Sequence, residues 1–163
     1  MAFDMFLKIE GPELKGESKD DTHTEEIDVL AWSWGSSQSG TFHTGGGGGA
    51  GKVNVQDLSV TKWVDAASPE IFKSICNGQH YDTATLTVRK AGTEPLEYVI
   101  IEMTKVMFTS QSTGGSGGED QLTENVTLNF AEVKVSYQPQ SDTGGAEGGA
   151  IEAAWNIEGN VEA

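Results

Sequence analysis

The feature that most constrains the fold is the stretch 27–64, where two runs of alternating apolar residues flank a bridge of glycines. The first run is IDVLAWSWGSSQSG (27–40) and the second is KVNVQDLSVTKWV (52–64). Between them lie five consecutive glycines at 45–49, then Ala50 and Gly51. A period of two is typical of half-buried β-strands. We therefore predict two strands joined by a long connection.

The first of these strands has two unlike faces, because successive side chains point to opposite sides of a strand. One face is large and apolar and is suited to a core: Leu30, Trp32 and Trp34. The other face carries smaller side chains: Val29, Ala31 and Ser33. Such a face is poorly explained as a plain outer surface and indicates contact with another partner.

The chain as a whole, these two strands included, predicts about seven strands and one helix, at about residues 68–78. Ser68 is expected to be the N-cap, Pro69 the first helical residue and Gly78 the C-terminal cap. The apolar stripe of this helix is predicted to contain Ile71, Phe72, Ile75 and a buried Cys76. Changes of phase near residues 56–57 and 131–132 predict bulges. A mainly β protein, a small antiparallel barrel or sandwich, follows.

Composition excludes several classes of protein. The formal charge of −15 argues against nucleic acid and anionic membranes as partners, and a single cysteine excludes an intrachain disulfide. The N-terminus lacks the features of a secretory signal, and no run approaches the ~20 apolar residues of a membrane span. We expect one domain over residues 1–163, made in the cytoplasm without membrane insertion and, if exported, without a signal peptide.

No motif in the sequence supports catalysis, a metal or a cofactor. The segment GGGGGAGK resembles a phosphate-binding loop, but Val53 stands where a hydroxyl should reach magnesium and a strand follows instead of a helix. The three histidines occupy separate segments without a second ligand at metal-binding spacing: His23, His43 and His80. Ser36 and Ser37 lack the strand-turn-helix context of a nucleophile elbow. We therefore expect a non-enzymatic protein without a cofactor.

Assembly with copies of itself explains the two-faced strands and the glycine-rich connections, since contact between copies would cover otherwise exposed faces and edges. The glycine connections are either plain links or segments that become ordered on contact with another copy. The alternative is a monomeric β-barrel that binds a small ligand or acts as an enzyme, which would need convergent polar groups around a cavity.

Several long motifs resemble the Hcp (haemolysin-coregulated protein) family of the bacterial type VI secretion system. They are HTEEIDVLAWSWG, AGKVNVQDLSVTKWVD, SPEIF, LTVRKAG, EPLEY, STGGSGGEDQLTENVTLNFAEVKVSYQPQ and WNIEGN, and the resemblance runs from Phe3 to about Asn160. It implies an antiparallel β-barrel with one helix, assembled into hexameric rings that stack as the inner tube. It also implies a sheath, a VgrG spike protein and small secreted effectors carried in the lumen as partners, and a plain structural form without an appended C-terminal effector domain.

The resemblance also assigns roles to particular residues. It implies that Ser33 faces the lumen and affects effector binding, with Val29 and Ala31 on the same lumenal face. It implies ring-to-ring contact for the loop at about 42–52 and for the loop at 112–120. The stacking residues expected in these loops are Phe42, His43, Gly45, Gly46, Gly47, Gly48, Gly49, Lys52, Ser112, Gly114, Gly115 and Ser116.

Charge makes ring stacking sensitive to salt. Six subunits at −15 each repel the next ring, and dissolved ions screen that repulsion. We expect isolated rings to predominate at low ionic strength and stacked tubes to lengthen as salt is added, as followed by light scattering. Longer tubes at low salt than at high salt would contradict this expectation.

Overall fold

The computed structural model describes residues 3–44, 51–92 and 94–163. Its strands are β1 (Phe3–Glu10), β2 (Ile27–Ser33), β3 (Ser36–Ser37), β4 (Asn54–Val55), β5 (Leu58–Trp63), β6 (Tyr81–Lys90), β7 (Leu96–Gly114), β8 (Thr123–Tyr137), β9 (Ile151–Asn156) and β10 (Val161–Glu162). One α-helix, α1 (Ser68–Asn77), and a 3-10 turn (Phe42–Thr44) complete the described elements.

Six strands close into an antiparallel barrel. Their order is β8-β5-β2-β1-β6-β7, and pairing of β7 with β8 closes the circle. β9 and β10 extend the sheet outward from β8, while β3 and β4 form a separate two-stranded hairpin. Closure removes the free edges that a six-stranded open sheet would expose. The predicted fold class, a mainly β protein with a small antiparallel barrel and one helix, is confirmed.

Apolar side chains fill the barrel interior. Leu7, Ile27, Leu58, Leu86 and Leu128 have no exposed surface and belong to one continuous core cluster. These residues come from five of the six barrel strands, so the interior holds packed side chains instead of a ligand cavity.

A register shift in β2 changes which of its side chains lie on each face, so the predicted faces of this strand are partly wrong. Val29 pairs with Lys62 and Ala31 with Thr61, so Leu30 is an extra residue opposite β5 and is 39% exposed. Val29 is 6% exposed and lies in the core. The prediction that Val29 lies on the lumenal face is therefore wrong, as is the placement of Leu30 in the core. Beyond the bulge, Trp32 and Trp34 pack against the core as expected.

The two bulges predicted from changes of phase in the sequence are not found at those positions, where the phase changes have other causes. At residues 56–57 the chain leaves the hairpin strand β4 and begins β5, so the phase change marks a break between two strands. At 131–132 the β7–β8 register is unchanged, with Thr104 opposite Glu132 and Val106 opposite Phe130. Lys105 of β7 has φ +56°, in the left-handed region that few non-glycine residues adopt.

Both long strands exchange their buried face at that point. In β7 the buried residues are Ile101 and Met103 before Lys105, then Val106 and Phe108 after it. In β8 they are Leu128 and Phe130, then Val133. We call this paired change of face the double kink. Since both strands change face together, their ladder of hydrogen bonds continues through it.

The helix starts and packs differently from the prediction. Ala67 occupies the N-cap position without a side-chain hydrogen bond, and Gly78 closes the helix in a left-handed conformation, φ +69°. Ile71 is buried, but Phe72 is 63% exposed and Cys76 is exposed. The expected buried cysteine is therefore wrong, because α1 packs through a narrow face and only part of its apolar stripe meets the barrel.

A buried ion pair anchors α1 to the barrel. Lys62 of β5 and Glu124 of β8 are adjacent in register, 0% and 1% exposed, and paired through Lys62 Nζ and Glu124 Oε1. Lys62 Nζ also contacts Asp65 Oδ1 at 2.9 Å and donates to the backbone oxygen of Trp63. Ser68 Oγ, expected to cap the helix, instead donates to Glu124 at 2.7 Å.

Removing one member of this pair should strongly destabilise the fold. We expect Lys62→Met to lower the free energy of unfolding by about 3–5 kcal/mol, because it leaves a buried carboxylate without its cation. Denaturant titration at fixed protein concentration measures this change. Lys134→Met, which breaks exposed pairs to Glu102 and Glu152, is the control and should have little effect. Equal effects of the two substitutions would contradict the buried role of Lys62.

The burial of Val29 and the exposure of Ala31 lead to a second prediction about stability. Val29→Ala should cost about 1.5–3 kcal/mol of unfolding free energy, since it removes buried methyl groups from the core. Ala31→Ser, two residues along on the exposed side, should stay within about 0.5 kcal/mol of the original. Thermal and denaturant unfolding compare the two variants. A larger destabilisation by Ala31→Ser than by Val29→Ala would show that the faces of β2 are reversed.

Candidate functional site

Ser33 lies in a row of hydroxyl side chains that crosses four strands. It pairs with Ser59 of β5, Ser59 pairs with Thr127 of β8, and Thr127 pairs with Ser110 of β7. Directly opposed residues of an antiparallel ladder share a face, so all four side chains point to the same side. Ser33 is exposed, and the row lies on the outside of the barrel.

A second row runs beside the first. Ala31 pairs with Thr61, Thr61 with Asn125, and Asn125 with Ser112. We call the two rows together the hydroxyl face; its members are Ala31, Ser33, Ser59, Thr61, Ser110, Ser112, Asn125 and Thr127. None of these eight side chains carries a charge, in a chain with 25 acidic and 10 basic residues.

The polar groups of the hydroxyl face bind one another. Thr61 Oγ1 donates to Asn125 Oδ1 at 2.6 Å, and Thr127 Oγ1 lies 2.6 Å from Ser110 Oγ. At the margin of the face, Asp57 accepts hydrogen bonds from Thr109 at 2.7 Å and Asn129 at 2.8 Å. Part of the hydrogen-bonding capacity is thus used within the surface, which leaves it polar but weakly attractive to other molecules.

The hydrogen bonds of this face join hydroxyls and an amide, and Thr109 links Thr127 to the marginal Asp57. No histidine takes part in these bonds. His23 is held by Glu26 and Glu97 instead. Within residues 3–44, 51–92 and 94–163, no group of three or more His, Cys, Asp or Glu side chains could hold a metal ion.

The sequence analysis named three members of this face, Ala31 and Ser33 as lumenal residues and Ser112 as a stacking residue. Ser59, Thr61, Ser110, Asn125 and Thr127 were not predicted as candidate site residues. The signal for those in β5 and β8 was present as alternation of small polar with buried residues. A single strand does not reveal which others align with it, so the rows emerge only from the register.

The described parts of the two predicted stacking loops lie at opposite ends of the barrel. β2 and β5 pair from Val29–Lys62 to Ser33–Ser59, and the β3–β4 hairpin with residues 42–44 and 51–52 lies beyond the Ser33 end. At the other end, Trp63 pairs with Thr123, which pairs with Gly114. The loop 115–122 projects from there.

The predicted stacking residues fall into three groups: exposed residues, residues outside the described part of the chain, and residues that belong to a strand and not to a loop. Phe42 is 83% exposed, and His43 and Lys52 are exposed. Gly45 to Gly49 lie outside the described residues. Ser112 and Gly114 are strand residues at the end of β7, and Ser112 belongs to the hydroxyl face, so the predicted loop start is wrong by three residues. Gly115 and Ser116 lie in the loop and are exposed.

In the described part of the chain, no helix has the length and apolar character required to cross a membrane.

Comparison with known proteins identifies the family. The model of the family described as "Type VI secretion system effector, Hcp" matches residues 6–137. Protein hcp1 of Pseudomonas aeruginosa is 62% identical over 164 residues, which cover 100% of both chains. Among solved structures, a type six secretion system protein has a TM-score of 0.92 and 32% identity over 99% of this chain and 100% of that chain. Hcp1 from Salmonella typhimurium has a TM-score of 0.81 and 39% identity over 100% of both chains.

The motifs read from the sequence and the barrel with its single helix thus agree with these matches. The chain belongs to the Hcp family, the tube proteins of the type VI secretion system.

Proposed function

We propose that six copies of this chain form a ring whose inner wall is the hydroxyl face, and that stacked rings carry small effectors through the lumen. The observation that carries the proposal is the uncharged surface of eight small side chains across β2, β5, β8 and β7. An assembly that repeats this surface six times would present a continuous neutral wall.

The chemistry of that wall suits reversible contact with cargo. A single neutral hydrogen bond contributes only about 0.5–1.5 kcal/mol in water, so no one subunit holds a protein tightly. Repetition around a ring raises the total through multivalency. The same absence of charge keeps effectors of either sign from being repelled or trapped.

Stacking is proposed to join the Phe42–Lys52 end of one ring to the loop end of the next, around Gly115 and Ser116. Their position at opposite ends of the barrel supports head-to-tail contact, since each ring then presents a different loop on each side. A sheath around the tube, a VgrG spike at its tip and release from the cell complete the proposal. In it the chain is a structural component and not an enzyme.

The alternative, a monomeric barrel that binds a small ligand, is not favoured. Its interior is occupied by side chains such as Leu58, Val60 and Leu128, which have no exposed surface. A ligand would need space where these side chains pack.

Native mass spectrometry tests the assembly directly. We expect a species of six copies at micromolar concentration, with smaller species on dilution. A monomer as the only species across that range would contradict the ring.

A substitution at Ser33 tests the role of the hydroxyl face. Ser33→Gln should leave the ring intact but weaken effector retention, because a longer side chain disrupts the same interaction in every subunit. A penalty of about 1 kcal/mol at several of the six positions gives more than a tenfold decrease in co-purified effector. Lys73→Gln, which places the same side chain on an exposed position of α1, is the control.

Two outcomes would contradict this placement. Failure of Ser33→Gln to form the ring would assign Ser33 to a subunit interface, and unchanged retention beside an intact ring would separate Ser33 from cargo binding.

A further inference from the structure

Two cations fasten the loop between β1 and β2, residues 11–26, to the outside of the barrel. Arg89 of β6 binds Asp20 of the loop in bidentate fashion, at 2.6 and 3.0 Å, and Asp4 of β1 at 3.0 Å. The second cation is on the loop itself: His23 reaches Glu97 of β7. The barrel thus supplies one cation to the loop and accepts another from it.

The geometry around His23 requires both ring nitrogens to carry protons. Nδ1 lies 2.9 Å from Glu26 Oε2, and Nε2 lies 2.6 Å from Glu97 Oε1. An ionised carboxylate only accepts hydrogen bonds, whereas a neutral imidazole has a single N–H. The ring is 8% exposed and stacks on Phe6, with centroids 4.4 Å apart and planes at 11°. A neutral His23 in this position would set a lone pair against a carboxylate oxygen.

We propose that His23 is a protonation-controlled latch for the 11–26 loop: the imidazolium binds Glu97 of β7, and removal of its proton breaks that bond. Glu97 is the partner released because its side chain is 40% exposed and can turn into water, whereas that of Glu26 is 12% exposed. Deprotonation therefore separates the loop from the barrel at this point, while the bond between His23 and Glu26 within the loop remains.

The charged groups around His23 come from the loop and from three strands. Glu26 of the loop and Glu97 of β7 bind its ring, and Arg89 of β6 binds Asp20 of the loop and Asp4 of β1. The Arg89 guanidinium lies 5.1 Å from the centroid of Phe6, on whose ring His23 stacks. Hydrogen bonding to Arg89 holds the pKa of Asp20 well below its usual value, so this ion pair keeps its charges when His23 titrates.

The direction of the pH effect follows from the pKa of His23. Burial lowers that pKa, but the hydrogen bonds to Glu26 and Glu97 and the charges of these two carboxylates together raise it more, so the pKa of His23 lies above its ordinary value. A raised pKa in the closed loop means that the latch is fully stabilising below the pKa of the open loop. Its contribution disappears as pH rises through the pKa of the closed loop.

Amides that are hydrogen-bonded across the boundary between the loop and the barrel report its opening. Asp82 N–H of β6 donates to Gly11 O at 3.1 Å, and Ala66 N–H, just before α1, donates to Glu17 Oε2 at 2.7 Å. When the loop detaches, these amides lose their acceptors and exchange with solvent. After correction for the intrinsic effect of pH, we expect their exchange to accelerate with rising pH by about tenfold for each unit that separates the closed and open pKa values of His23.

Hydrogen exchange and a histidine NMR titration on the full chain test the latch together. The His23 resonance is assigned by its absence in His23→Gln, and its midpoint should lie above 6.5. In His23→Gln the corrected exchange rate of the reporter amides should be independent of pH over the same range, because no titrating group remains at position 23. Glu97→Gln should move the His23 midpoint to lower pH, since one of the two carboxylates that favour the cation is gone.

Glu102→Gln is the matched control, because Glu102 is an exposed carboxylate on the same strand whose cation is Lys134; it should leave the midpoint unchanged. Three results would overturn the latch. They are a His23 midpoint at or below 6.5, corrected exchange in the original chain that does not change with pH, and a midpoint insensitive to Glu97→Gln. None of these measurements depends on ring formation.

Discussion

The buried pair of Lys62 and Glu124 fixes the relation between β5 and β8 on which the rest of the molecule depends. Both side chains face the inside of the barrel, so their neighbours in sequence must face outward. A slip of one residue would bring the pair to the surface and bury Thr61 and Asn125. The same charges that hold α1 through Ser68 therefore also determine which side chains form the hydroxyl face.

The barrel was predictable where a regular period continued through a strand. β5 and the first part of β8, residues 123–130, alternate between buried and partly exposed polar residues. The C-terminal end of α1 at Gly78 is also as its sequence indicates. The errors occur where the period is broken. The register shift beside Leu30 moves Val29 into the core, and a pattern read along one strand does not show an extra residue that only pairing with β5 reveals.

Other errors arose because local sequence does not show how much of a helix its neighbours cover, or whether a charged side chain is buried. Phe72 and Cys76 fit an apolar helical stripe, yet the barrel covers only the side of α1 that contains Ile71. Lys62 shares the parity of the buried Leu58 and Val60, and the ion pair that stabilises its charge there is with Glu124, 62 residues away. In the candidate site, the family resemblance singled out Ser33 as a lumenal residue, whereas its partners across β5, β8 and β7 required the register of the closed barrel.

The double kink limits how β7 and β8 can change in length. β7 and β8 exchange their buried faces at the same level, near Lys105 and Ala131, while remaining in register. A residue deleted from one strand alone would turn every side chain beyond it to the wrong side and leave the other strand unmatched. An unmatched change is absorbed only at a bulge, such as the register shift that β7 already has between Phe108 and Ser110. At the double kink itself, the two strands are expected to change length together.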